Sequence, residues 1–240
     1  MANKRFILDG DLPVSIYKRR NSRSLRLTVS SEGEVKVSIP AWAPYSAGVN
    51  FAKSRRSWIA SQRRPVRDLS HGQQIGKAYH IYFRPQASAI KPASRLGEGA
   101  VIVSHPPDMD AAHPDVQKAA RDGSVRALRA QAERLLPQRL ATLADSHGFT
   151  YSGVRIKRLR SRWGSCDQDG MIALSLFLIQ LPWECIDYVL LHELMHTRIM
   201  RHGPDFWEAL LELEPRAKDL RKRLRSCQPS LDSPAVADVA

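Results

Sequence analysis

The chain has 240 residues, 43% of them hydrophobic and 25% charged, the balance of a soluble globular protein with material for one large domain or two small lobes. No apolar run nears the roughly 20 residues needed to cross a bilayer, which excludes a helical membrane protein, and only Phe6-Ile7-Leu8 follow Lys4 and Arg5, too little for a signal peptide. The formal charge is +13, and residues 1–70 carry 14 Lys/Arg against 5 Asp/Glu, a net of +9. That excess could attract nucleotides, nucleic acid or acidic proteins; without aromatic interleaving or a binding motif, a solvated basic surface is the simpler reading.

In chain order, Asp11 to Tyr17 reads as a strand. Leu25, Leu27 and Val29 alternate, as do Val35, Val37 and Ile39, around Ser30-Ser31-Glu32-Gly33-Glu34: a β-hairpin ended by Pro40. Ser46 can cap one helix running to about Gln62. Residues 78–83 read as a strand, Pro85 to Ala100 as a Ser/Ala/Pro/Gly-rich loop, and Val101-Ile102-Val103 as a further short strand. From Pro114 to Ser146 an apolar stripe of Leu128, Ala132, Leu135, Leu136, Leu140 and Leu143 predicts a helix, with possible interruptions at Gly123 and Pro137 and a stop at Gly148. Tyr151 to Pro182 reads as strands, with a turn at Asp167-Gln168-Asp169-Gly170 and an apolar run from Met171 to Ile179. The three cysteines, Cys166, Cys185 and Cys227, are odd in number and unpatterned, which fits reduced thiols and a cytoplasmic protein.

The chemistry concentrates in His192-Glu193-Leu194-Met195-His196. Residues i and i+4 of a helix project from one face, so His192 and His196 can grip one metal ion while Glu193 reaches a water beside it. This is the HExxH signature of zinc hydrolases, two imidazole ligands plus a carboxylate general base. A catalytic zinc takes three protein ligands and leaves a position for water. His202 follows His196 by six residues and precedes Gly203-Pro204, so the helix is expected to stop near Arg201 and return His202 to the metal. The spacing equals that of metzincins, but Ile199 stands where those place a glycine, and no Met-turn is evident. The expected cofactor is Zn2+, held by His192, His196 and His202, with Glu193 catalytic.

Neighbouring residues carry weaker signals. Trp163 could line the substrate edge, although a strand tryptophan is more often core. Cys166 could bind the metal in a latent state, but a small buried cysteine is the commoner case. Asp205 could orient a ligand imidazole or simply sit at a helix N-terminus. Arg155, Lys157, Arg158, Arg160 and Arg162 could cradle phosphates, though such a run is more often a solvated strand face.

The combination SRWGSC (Ser161–Cys166), DYVLLHELMH (Asp187–His196) and HGPDFW (His202–Trp207) resembles the YgjP-like metal-dependent hydrolase family and is more distantly similar to SprT-like and WLM zinc proteases. The resemblance implies an α+β protein: a zincin-like catalytic domain with its HExxH helix next to a small antiparallel sheet, preceded by a small β-rich lobe. The expected boundaries are residues 1–113 for a basic N-terminal lobe with one helix, 114–227 for the metallopeptidase domain, and 228–240 for a disordered tail. The leading function is a zinc metallopeptidase acting on a peptide or protein substrate. The alternatives are a metal-dependent nucleotide pyrophosphatase, since some relatives carry that label, and a basic nucleic-acid-associated protein with a structural zinc. No membrane partner is expected.

Overall fold

A computed structural model describes residues 3–29, 33–62 and 67–232, and divides the chain into two units, residues 1–67 and 68–240. Among the described residues the fold is α+β, with three small sheets and six α-helices.

The first unit is a four-stranded sheet of β1 (Asn3–Leu8), β2 (Leu12–Arg19), β3 (Arg26–Val29) and β4 (Val35–Pro40) in the order β1-β2-β4-β3. Val14, Ile16, Val35, Val37 and Ile39 alternate inward and are buried, as period-two patterning requires. They pack with Ala52 of α1 (Tyr45–Ser54) and Ile59 of α2 (Arg56–Gln62). The predicted hairpin is present as β3 and β4, with Leu27 opposite Val37, while Ser30, Ser31 and Glu32 of its turn lie outside the described residues. The single expected helix is two. It starts at Tyr45 after Pro44 rather than at a Ser46 cap and breaks at Arg55, beyond which Arg56 pairs with Asp9 and Asp11. β1 left no alternating signal because its side chains are mostly exposed.

In the second unit β5 (Gln74–Ile75), β6 (Tyr79–Pro85), β7 (Ala93–Gly97) and β8 (Ala100–His105) form a sheet ordered β5-β6-β8-β7, which packs on α3 (Pro114–His147). This corrects the expected boundary at residue 113. Ile81, Phe83, Val101 and Val103 share one core with Val116, Ala120, Ala127 and Leu128, so residues 68–113 belong with the catalytic half. Two buried amides join them further. Gln117 exchanges hydrogen bonds with the Leu69 backbone (2.8 and 3.0 Å), and Gln131 accepts from Lys77 N and Ala78 N while donating to Ile75 O. β7 falls inside the stretch expected to be loop, its mostly exposed ASRLG sequence offering no apolar period. Gly123 does not interrupt α3. A Cβ there would stand 2.7 Å from Val101 Cγ1, so glycine permits the close approach of helix and sheet.

Beyond α3 come β9 (Gly153–Lys157), β10 (Gly164–Cys166) and β11 (Met171–Ser175), ordered β10-β11-β9. This sheet is mixed rather than antiparallel. β9 and β11 run parallel because the chain after β9 crosses to the far side of β11 before returning as β10. The apolar run also splits. Ser175 Oγ accepts from Phe177 N at 3.3 Å and starts a 3-10 turn over Leu176–Gln180, whose first four residues are all buried, which explains a run without alternation. Helices α4 (Trp183–Met195), α5 (Pro204–Leu213) and α6 (Ala217–Arg225) follow. Arg139 of α3 holds Asp187 of α4 through two bonds of 2.7 and 2.6 Å, and Arg223 of α6 meets Glu184 of α4 at 3.2 Å. The expected disordered tail is ordered through Asp232. Ser230 O accepts from Gln180 Nε2, and Asp232 pairs with Arg121. Residues 233–240 lie outside the described residues. No helix among the described residues is long and apolar enough to cross a membrane.

Candidate metal centre

α4 carries the HExxH pair because its other faces are apolar: Cys185, Ile186, Leu190 and Leu194 are fully buried and lock the helix into the core. The α-helix ends earlier than expected, at Met195. Thr197 N, Arg198 N and Ile199 N bond back to Leu194 and Met195 carbonyls in a tight turn, and Thr197 Oγ1 caps Leu194 O at 2.8 Å. The early stop leaves enough chain before Gly203 for His202 to fold back.

His202 does return. Its Nε2 lies 2.9 Å from His192 Nε2 and 3.1 Å from His196 Nε2, and the three form a group able to hold a metal ion. Three zinc-bound nitrogens at about 2.05 Å in tetrahedral geometry would stand about 3.3 Å apart, close to what is seen. His196 Nδ1 faces Ile199 O at 3.2 Å, which places the proton on Nδ1 and leaves the Nε2 lone pair for a ligand. Burial and the neighbouring His196 and His202 depress His192 to about 3, and burial lowers His196 and His202 as well, so the nitrogens present lone pairs rather than protons. The donor set fits a divalent metal with a preference for imidazole.

Two aromatics of the HGPDFW segment support this cluster. Phe206, fully buried, stands 5.0, 4.7 and 4.8 Å from the rings of His192, His196 and His202, and the Trp207 ring stacks on His202 at 5.6 Å. The signal was present in HGPDFW: two aromatics in the first turn of α5, directly after the third histidine.

Glu193 is buried, and burial pushes its carboxyl up to about 8, Arg162 pulling the other way. Beside a divalent cation such a carboxyl is drawn back towards its charged form. Gly164 of the SRWGSC segment lies against it: a Cβ there would be 2.6 Å from Glu193 Oε1. β10 can approach α4 this closely only through glycine, and the sequence reading passed over Gly164. Trp163 combines both of its readings, half-buried against the core while lining a cleft of about 290 Å³ with Arg162, Gly164, His192 and Glu193. Cys166 is not in the histidine cluster. Its thiol is pushed up to about 11 by burial and by the charges of Glu193 and Asp167. Asp205 is exposed in the first turn of α5, and His192 Nδ1 has no hydrogen-bond partner among the described residues, so Asp205 does not orient that ring.

The YgjP-like, metallopeptidase domain family matches residues 23–227. The chain belongs to this family. Membership implies a divalent metal, and among the described residues His192, His196 and His202 form a group that could hold one. Among solved structures the chain is similar to the metallopeptidase zymogen of Pyrococcus abyssi abylysin, at 27% identity over 38% of this chain and 91% of that one, with a TM-score of 0.35. It is also similar to the metallopeptidase zymogen of Methanocaldococcus jannaschii jannalysin, at 19% identity over 38% and 93%, with a TM-score of 0.34. No curated protein sequence matches.

Proposed function

We propose that the chain is a zinc-dependent metallopeptidase, with His192, His196 and His202 as the ligands and Glu193 as the general base. The observation that carries this reading is the convergence of three imidazole Nε2 atoms beside a buried carboxyl that opens on the same cleft. Zinc when bound supplies Lewis acidity and an acidified water. Glu193 takes a proton from the attacking water and returns it to the leaving amine. Although buried, it lines the cleft and has no ion pair among the described residues to hold it away from that proton. Gly164, having no side chain, leaves the carboxyl its place against β10. β10 is an edge strand of its sheet, a suitable rail for an extended peptide held by main-chain hydrogen bonds. The three cysteines are free thiols, in keeping with a cytoplasmic setting.

The test is Glu193→Gln in the zinc-loaded protein. Zinc content should stay and peptide hydrolysis should fall by about 10²- to 10⁴-fold; unchanged turnover would contradict the reading. Arg162 at the cleft favours one second reading, a nucleotide pyrophosphatase, for which a nucleoside triphosphate would have to be cleaved in place of peptides.

A further inference from the structure

The cleft beside His192 and Glu193 continues along α6 into a second one, of about 200 Å³, and the two share Arg221 and Arg225. Arg162 lines the first and Lys218 and Lys222 the second, giving five cationic side chains. Among the described residues, the only carboxylate lining either is the buried Glu193. All five cations are exposed, and none has a salt-bridge partner among the described residues, in contrast to Arg223 on the same helix, which is bound to Glu184. α6 is firmly seated: Ala217, Leu220 and Leu224 are buried, so its basic face is a fixed wall. Arg221 is tied to the metal centre through aromatic contact. Its guanidinium lies 4.2 Å over the Trp207 ring, which in turn stacks on His202.

From this arrangement we infer that the substrate is an acidic polypeptide, bound with acidic side chains at alternate positions on the side of the scissile bond that runs along α6. Unpaired positive charge lining a cleft with apolar walls focuses potential on an anionic ligand, and guanidinium groups engage carboxylates through paired hydrogen bonds. The spacing favours a chain over a compact polyphosphate. Arg221 and Arg225 are four residues apart on one helix face, about 6 Å along the axis, close to the roughly 6.6 Å between alternate side chains of an extended peptide. Trp207 and Leu211, which line the second cleft together with the basic residues, offer apolar contact to the peptide, which a polyphosphate would not use. The inference rests on the peptidase reading above and adds its substrate class.

The experiment uses the full zinc-loaded protein and a set of fluorogenic peptides that differ only in Glu or Gln at each position flanking the cleaved bond. Glu peptides should be cleaved with kcat/KM at least about tenfold higher, the worth of one to two charge-assisted hydrogen bonds. The advantage should fall at alternate positions on one side of the bond and arise in KM. Raising salt from about 0.05 to about 0.5 M should erode it. The double variant Arg221→Gln/Arg225→Gln should bring the Glu-to-Gln ratio close to one, while its melting temperature shows it folded. Equal cleavage of Glu and Gln peptides at every position, or a preference that survives the double variant, overturns this inference and leaves the peptidase reading standing. Cleavage of a nucleoside triphosphate with no peptide cleaved overturns both.

Discussion

Glu193 owes its environment to a residue without a side chain. With only 2.6 Å between a Gly164 Cβ and Glu193 Oε1, Gly164→Ala must push the carboxyl aside or lift β10 from α4. The histidines are untouched by that change, so metal content should persist while kcat/KM falls about 100-fold, the scale on which a misplacement near 1 Å acts. Wild-type turnover in Gly164→Ala would show that Glu193 does not need this packing. His192 and His196 were legible in the sequence because helical spacing puts them on one face, Glu193 because it completes the HExxH pattern, and His202 because Gly203-Pro204 stop the chain's helix beside it. Gly164 and Phe206 lie inside the recognisable SRWGSC and HGPDFW segments, but their individual roles depend on a strand and a helix brought to α4 by tertiary packing, which no local spacing encodes.

At the scale of elements, the long helix α3 organises the larger core, with sheet β5–β8 against it and α4 tied to it through Arg139 and Asp187. Gly123 faces β7 and β8 at close range, where a Cβ would meet Val101 at 2.7 Å and Ser94 at 2.9 Å. Helix propensity alone would make Gly123→Ala stabilising by up to about 1 kcal/mol, but overpacking costs about 1 to 3 kcal/mol. The packing effect should win. Chemical denaturation of Gly123→Ala should show a net loss of about 1 to 2 kcal/mol, and a gain would mean that helix and sheet separate freely. The sequence suggested a helix break at this glycine because helical weakness and close packing use the same residue. The strands that alternated clearly, such as β4, were legible. β1 and β7 were not, since mostly exposed strands carry no apolar period.

At the scale of the whole chain, the two hydrophobic cores share no residue, and every side chain of the candidate site belongs to the second unit. The boundary expected at residue 113 followed a change in composition from strand-rich to helical, whereas the physical boundary follows which strands α3 covers. A chain beginning at Asp68 should therefore fold cooperatively and take up the same metal content as the full protein, seen as a single thermal transition together with elemental analysis. Failure of this piece to fold would show that the first unit is needed to complete the second. The family signature was legible because SRWGSC, HELMH and HGPDFW each bring one wall of the site, and those three walls do meet around the histidines.

The most direct test of the account is the metal content of purified protein, wild type beside His202→Ala. About one zinc per chain in the wild type, clearly reduced in the variant, is the predicted result for a three-histidine site. A wild-type protein that takes up no zinc, or zinc binding indifferent to His202, would contradict it.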